Sequence, residues 1–193
     1  MTESGHRIAG VAGAVLVGGR SRRMGRDKAL VEIDGVPMVR RVADVLVANA
    51  CRPVVAIGPA HLAAGLDAVA DEHPGEGPLG GILTALHAVA PQPVLVVACD
   101  LPWLDTATVA AVLAATHEAT ESGGSVDVVM AVAQRREPLC AVWMPASVID
   151  AERAFAAGER AVHRVAAGLR VVEVFVGARG LINVNAPEDL PSE

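Results

Sequence analysis

The sequence predicts one α/β domain, built on a mostly parallel sheet with helices on both faces. Val-rich runs of strand length alternate with Ala-rich stretches of helix length, and 193 residues are one domain's worth of polypeptide. At that length folding hides about 70% of the unfolded surface, so a core forms without disulfides or metals. The predicted strands cover residues 12–17, 53–57, 66–70, 94–99, 126–131, 139–143 and 171–176, short apolar runs rich in β-branched Val. The predicted helices cover 38–49, 79–90, 106–121, 145–157 and 160–167, and Asp105 or Thr106 offers a side-chain oxygen to the first amides of the third. No repeat or low-complexity stretch interrupts the alternation. A single domain over 1–193 is expected, with residues 1–10 as a flexible, polar N-terminus.

Composition removes several functional classes. Hydrophobic residues make up 52% of the chain, yet they are mostly Ala and Val dispersed among charges. No apolar run approaches the roughly 18 residues of a membrane span. With no signal-peptide pattern at Met1-Thr2-Glu3-Ser4-Gly5-His6, a soluble, cytoplasmic protein without membrane contact is expected. Cys51, Cys99 and Cys140 are odd in number and widely spaced, which fits buried reduced thiols better than disulfides or zinc ligands. The six His residues show no metal-ligand spacing and are given no role. A net charge of −6 argues against nucleic acid as a partner, because tracking phosphates needs a basic stripe.

One basic window stands against that acidic background. Arg20, Arg22, Arg23, Arg26 and Lys28 place five of the sixteen basic residues within nine positions, and Lys28 is the only lysine in the chain. A solitary Lys among Arg marks a position where a compact, mobile ammonium is wanted. Just before this window the first predicted strand runs into Leu16-Val17-Gly18-Gly19. Paired Gly let backbone amides approach a ligand and turn toward phosphate oxygens, while Arg23 and Lys28 supply cations for a triphosphate. A Walker loop is excluded because Arg26 follows Gly25, and the dinucleotide fingerprint is absent too. The alternative is a glycine turn flanked by solvated arginines.

Ligands of open α/β sheets sit at the carboxyl ends of the strands, which makes the loops after the first, third and fourth strands the expected places for chemistry. The fourth predicted strand delivers Asp100, where a carboxylate can hold Mg²⁺ with substrate phosphates completing the shell, or else cap a turn ahead of Pro102. Trp103 is expected in the core. The third predicted strand leads to Asp71, and the Gly-rich stretch through Gly81 is long enough to wrap a base and ribose, unless it is an ordinary acidic turn. Near the end, alternation puts Asn183 and Asn185 on one face, suited to polar groups of an acceptor substrate or to a metal-bound water. A helix-entry turn before Pro187 is the other reading of Asn185.

Taken in order, these motifs resemble the molybdenum cofactor guanylyltransferase family, within the larger class of sugar-nucleotide-type nucleotidyltransferases. The run from Leu16 to Lys28 looks like the family's L-x-G-G-x-S-x-R-M-G-x-D-K signature, without gaps. Cys99-Asp100-Leu101-Pro102 is similar to its metal motif, and Gly77-Pro78-Leu79-Gly80-Gly81 to its G-P-L-x-G loop. Ala157-Gly158-Glu159-Arg160 resembles a late helix turn, and Asn183 through Glu188 the N-x-N-x-P-E ending.

The resemblance implies a Rossmann-like nucleotidyltransferase fold of the nucleotide-diphospho-sugar transferase type. It implies GTP bound along Leu16, Val17, Gly18 and Gly19 with Pro78, Leu79 and Gly80 beside it, phosphates on Lys28, the nucleoside side on Asp71, and Mg²⁺ on Asp100. Lys28, Arg23 and Asp100 are then the expected catalytic residues. The implied second substrate is molybdopterin carrying molybdenum, made into its guanine dinucleotide form, with Asn183 and Asn185 as candidate acceptor ligands. A monomer is expected, with transient contact to molybdoenzymes or other cofactor-synthesis proteins. Three alternatives stay open: cytidylyl transfer, another phosphorylated acceptor, and a non-catalytic nucleotide-binding chaperone of molybdoenzymes.

Overall fold

The computed structural model describes residues 10–18 and 27–189. The expectations for the N-terminus up to residue 9, for Gly19 and for the arginines from Arg20 to Arg26, Arg23 included, lie outside the described residues.

All five residues of β1 (Ala12–Leu16) are buried, as a strand covered on both faces requires. Val11, Val15 and Val17 enter one core cluster, and Ala12, Ala14 and Leu16 the other, so the strand's two-residue period feeds both layers. A Cβ added at Gly13 would lie 3.0 Å from Leu46 Cδ1 and 3.1 Å from Val54 Cγ2; Gly there lets a helix and a neighbouring strand close in on β1.

After β1 the chain forms a small ribbon, β2 (Glu32–Ile33) and β3 (Val36–Pro37), then α1 (Met38–Ala48), β4 (Val54–Ile57) and β5 (Asp67–Val69). It continues through α2 (Pro78–Val89), β6 (Val94–Ala98), α3 (Thr106–Glu121), β7 (Val128–Val132) and β8 (Arg136–Trp143). The last elements are α4 (Val148–Ala156), α5 (Val162–Ala167) and β9 (Val171–Phe175). Asp105 caps α3, its Oδ1 accepting from the Thr108 amide at 2.7 Å.

Every predicted strand and helix is present, with three differences. The β2–β3 ribbon is an addition: its strands are two residues each, too short for a periodic pattern, and its signal is the Asp34-Gly35 turn with φ of 52° and 73°. β8 begins at Arg136 rather than 139, because it pairs with a neighbour on each side and the ladder to β7 continues past a register shift at Met130/Ala131. The helix expected over 145–157 opens as a 3-10 turn, Pro145–Ser147.

The seven strands lie in the order β5-β4-β1-β6-β8-β7-β9, and β8 alone runs antiparallel to its neighbours. Residues of α1 and α3 pack in one core layer and those of α2, α4 and α5 in the other. From β1 the chain builds outward to β4 and β5, then returns to β6 on the other side of β1. Crossovers that diverge from one strand leave a crevice at its carboxyl end, here between β1 and β6. Register puts Leu16 beside Ala98, so Val17-Gly18 and Cys99-Asp100 leave the sheet together.

A third apolar cluster closes over that edge. Val31, Ile33, Met38 and Val184 are buried in it, with Trp103 partly buried against them, so Trp103 belongs to the rim of the core. Among the described residues no helix is long and apolar enough to cross a membrane.

Candidate active site

Lys28 opens a short 3-10 turn, Lys28–Leu30, anchored by buried Ala29 and by Val31. Its ammonium donates to Asp100 Oδ2 at 3.1 Å and to Asn185 Oδ1 at 3.0 Å. The Lys28 and Asp100 side chains keep 17% and 24% of their surface exposed, enough access for a ligand and little enough water to keep the charges effective. Asp100 reaches this point from the end of β6. Asn185 arrives through packing: fully buried Val184 contributes about 1.5–3 kcal/mol to holding the C-terminal segment, and its amide donates to Asp100 O at 2.9 Å.

The structure thus joins Lys28, Asp100 and Asn185, which the sequence had placed in separate segments. Asn183 is half-buried one residue before Val184 and is not joined to that contact. The helix-entry turn is present, since Asp189 Oδ2 accepts from the amides of Asn185 at 2.7 Å and Ala186 at 2.9 Å at the start of the 3-10 segment Pro187–Asp189, and it leaves the Asn185 side chain directed to Lys28. Those amides hold the Asp189 carboxyl below its ordinary range.

The loop leaving β1 stays tied to the sheet: Leu16 O accepts from the Cys99 amide at 3.1 Å, and the Val17 amide donates to Ile57 O at 3.0 Å. Gly18 is exposed, and a Cβ placed on it would meet nothing within 4 Å, so its backbone borders open space. Gly58, just past β4, has φ of +137°, and a Cβ there would lie 3.0 Å from Val17 Cγ2 and 3.2 Å from the Gly18 amide nitrogen. Only Gly allows this approach, a supporting role for Gly58 that no short-range pattern in the sequence marks.

Asp71 lies two residues past β5, at the same edge of the sheet. Its Oδ1 accepts from the His73 amide at 2.9 Å and faces Thr84 Oγ1 at 3.2 Å, while Thr84 Oγ1 accepts from the Glu72 amide at 3.0 Å. The carboxylate is therefore aimed by α2. That helix starts at Pro78 behind Gly77, whose φ is +90°, and turns the positive end of its dipole toward the crevice with Leu79 and Gly80 in its first turn. A Cβ on Gly80 would come within 2.7 Å of His73 Cβ, so loop and helix share one close contact.

Burial pushes the Cys51 thiol up to about 11 and the Cys99 and Cys140 thiols up to about 12, which leaves them protonated structural groups rather than nucleophiles. On β8, burial pushes the Glu137 carboxyl above the carboxylate range against the pull of Arg135, and nearby Asp100 adds to the rise. Glu137 is a second acid near the crevice that no sequence motif marked. Among the histidines, His87 sits between Glu72 Oε2 at 2.8 Å and Glu152 Oε1 at 3.1 Å, a structural link outside the chemistry of the crevice. The hydrogen bond to the Glu72 carboxylate leads the rise of its pKa.

The sequence and fold that build this crevice are shared with known proteins. The family model described as the MobA-like NTP transferase domain matches residues 13–173. The chain belongs to the MobA-like NTP transferase family. The molybdenum cofactor guanylyltransferase of Rhodobacter capsulatus is 33% identical over 187 residues, 93% of each chain. The protein of that name in Xanthomonas euvesicatoria is 32% identical, over 91% of this chain and 90% of the relative. Among solved structures, molybdopterin-guanine dinucleotide biosynthesis protein A from Archaeoglobus fulgidus superposes with a TM-score of 0.73 and 26% identity, over 93% of this chain and 94% of that one. Membership in the MobA-like family makes the chain a nucleotidyltransferase, and the matched span includes Leu16, Lys28, Asp71 and Asp100. Asn183 and Asn185 follow it.

Proposed function

We propose that the chain transfers the guanylyl group of GTP to the terminal phosphate of molybdopterin, releasing pyrophosphate, as a single-domain cytoplasmic enzyme that uses Mg²⁺. The observation that carries this reading is the convergence of the lone lysine, Asp100 and Asn185 at the β1–β6 crevice of a family whose relatives are named molybdenum cofactor guanylyltransferases.

The donor set suits the metal. Asp100 Oδ2 and Asn185 Oδ1 are two hard oxygens already converging on one cation, and Mg²⁺ takes one or two such protein ligands with phosphate and water filling the rest. When bound there, Mg²⁺ would neutralise phosphate charge and favour attack at the α-phosphorus. In the proposed reaction a terminal phosphate oxygen of molybdopterin forms a bond to the α-phosphorus of GTP. The bond from that phosphorus to the β-bridging oxygen breaks, and its electron pair leaves with pyrophosphate. Lys28 would offset charge on the departing group, the Leu16-Val17-Gly18 backbone would border the nucleotide, and Asp71 would meet its nucleoside side. No covalent enzyme intermediate is needed, in keeping with protonated thiols.

Incubation with α-labelled GTP, Mg²⁺ and molybdopterin tests the reading. The label should enter a molybdopterin dinucleotide with one pyrophosphate released per turnover, and labelled CTP should be a poor donor. Label entering only from CTP would make the chain a cytidylyltransferase, and GTP binding without pyrophosphate release would make it a chaperone.

A further inference from the structure

We propose that Arg160 is a positioning residue for the nucleotide, acting through the loop that carries Asp71. This rests on the nucleotide-binding reading above and adds a part of the molecule outside the crevice, the turn between α4 and α5.

The loop after Asp71 reaches α4 and that turn at three points. Glu72 is linked through His87 to Glu152, with contacts of 2.8 and 3.1 Å. The His73 ring lies 4.5 Å from the Phe155 ring. Glu76 Oε2 accepts from Arg160 Nε at 2.7 Å. Glu76 lies between Gly75 and Gly77, with φ of +84° and +90°, and a residue flanked by two such glycines has the most backbone freedom in the segment. That residue is the one held by Arg160.

Arg160 is in turn fixed to its own surroundings. Its Nη1 donates to Phe155 O at 2.7 Å and to Glu159 O at 2.9 Å, and its guanidinium carbon lies 3.8 Å from the centre of the Phe155 ring. Glu159 Oε1 accepts from the amides of Arg160 and Ala161, both at 2.8 Å, and Glu159 Oε2 pairs with Arg164 at 2.7 Å. A planar fork that stacks on an aromatic ring while donating in three directions is a task for Arg and not for Lys.

His73 carries the effect inward. Its amide aims Asp71, its side chain touches the first turn of α2 where Gly80 gives way, and its ring meets Phe155 beneath Arg160. A loop ordered before the ligand arrives does not have to be ordered by it, so the clamp strengthens nucleotide binding and leaves the acceptor untouched.

Glu76→Gln tests this without opening the core, because Glu76 is exposed. The dissociation constant of GTP and its KM should rise by about fivefold or more, while the acceptor KM stays within about twofold. Amide hydrogen exchange over residues 72–76 of the free protein should speed up, and the charge-conserving Glu76→Asp should recover part of both effects. Unchanged GTP binding in Glu76→Gln, with the protein folded, overturns the proposal, as does an Arg160→Lys variant that raises the acceptor KM alone. If the wild-type chain binds no GTP in the same titration, the nucleotide reading fails first and this one with it.

Discussion

At the carboxyl end of the sheet Lys28 meets Asp100 at Oδ2, 3.1 Å away, and divides its ammonium with Asn185. At the amino end Arg170 grips Asp127 as a fork, Nη2 to Oδ1 at 2.6 Å and Nε to Oδ2 at 2.8 Å, while the Arg170 amide donates to Oδ2 at 2.9 Å. Backbone bonds from Asp127 and Val128 to Arg170 O tie the starts of β7 and β9 at the same point. The Asp127 side chain is 8% exposed, with its lone pairs committed to one partner. The two pairs teach different lessons from similar ingredients: a saturated fork locks two strands together, whereas a shared point charge beside an accessible carboxylate can be traded for a ligand.

The largest expected effect lies at the carboxyl end. Asp100→Ala should lower turnover by at least about 100-fold while the melting temperature barely moves, since in the proposed reaction the lost group acts on charge and not on packing. Steady-state kinetics and a thermal melt of the same preparation check both halves. Lys28→Arg comes next, with turnover down by about tenfold or more, because a planar guanidinium cannot reproduce a compact ammonium shared between Asp100 and Asn185. Wild-type rates for that variant would reduce the lone lysine to an accident of composition.

The amino-end pair should answer in the opposite way. Asp127→Ala should lower Tm by about 2–4 °C with turnover unchanged. The side-chain hydrogen bond from Arg170 holds the Asp127 carboxyl below the usual carboxylate range. Its contribution is therefore complete above the unfolded-state pKa of about 3.9 and is lost as pH falls through the lower folded value. Melting curves of the wild type and Asp127→Asn should separate at neutral pH and converge in that acid window. If Asp100→Ala destabilised the fold as much as Asp127→Ala, the contrast between the two ends would collapse.

The crevice was half legible before the fold was known. Leu16 to Gly18, Asp71 and Asp100 announce themselves because Gly and Asp at the end of a Val-rich strand are a short-range pattern, and the strand-helix alternation names the edge they occupy. The partnership of Asn185 with Lys28 had no such signature: it spans 157 positions and depends on Val184 finding the pocket among Val31, Ile33 and Met38. The link between Glu76 and Arg160 was invisible for the same reason. The late-turn motif names Arg160 without a partner, and Glu76 looks like one more solvated charge until the distance of 2.7 Å between them is seen.

Sequence alone determined the α/β alternation, the burial of β1 on both faces and the chemical character of the loop that begins at Leu16, because strand period, glycine freedom and the scarcity of lysine are properties of neighbouring residues. Only the tertiary structure decided which loops face each other. The order β5-β4-β1-β6 sets β1 against β6, and with them Lys28 against Asp100, because long-range pairing is chosen by the joint burial of apolar faces that no local stretch of chain encodes.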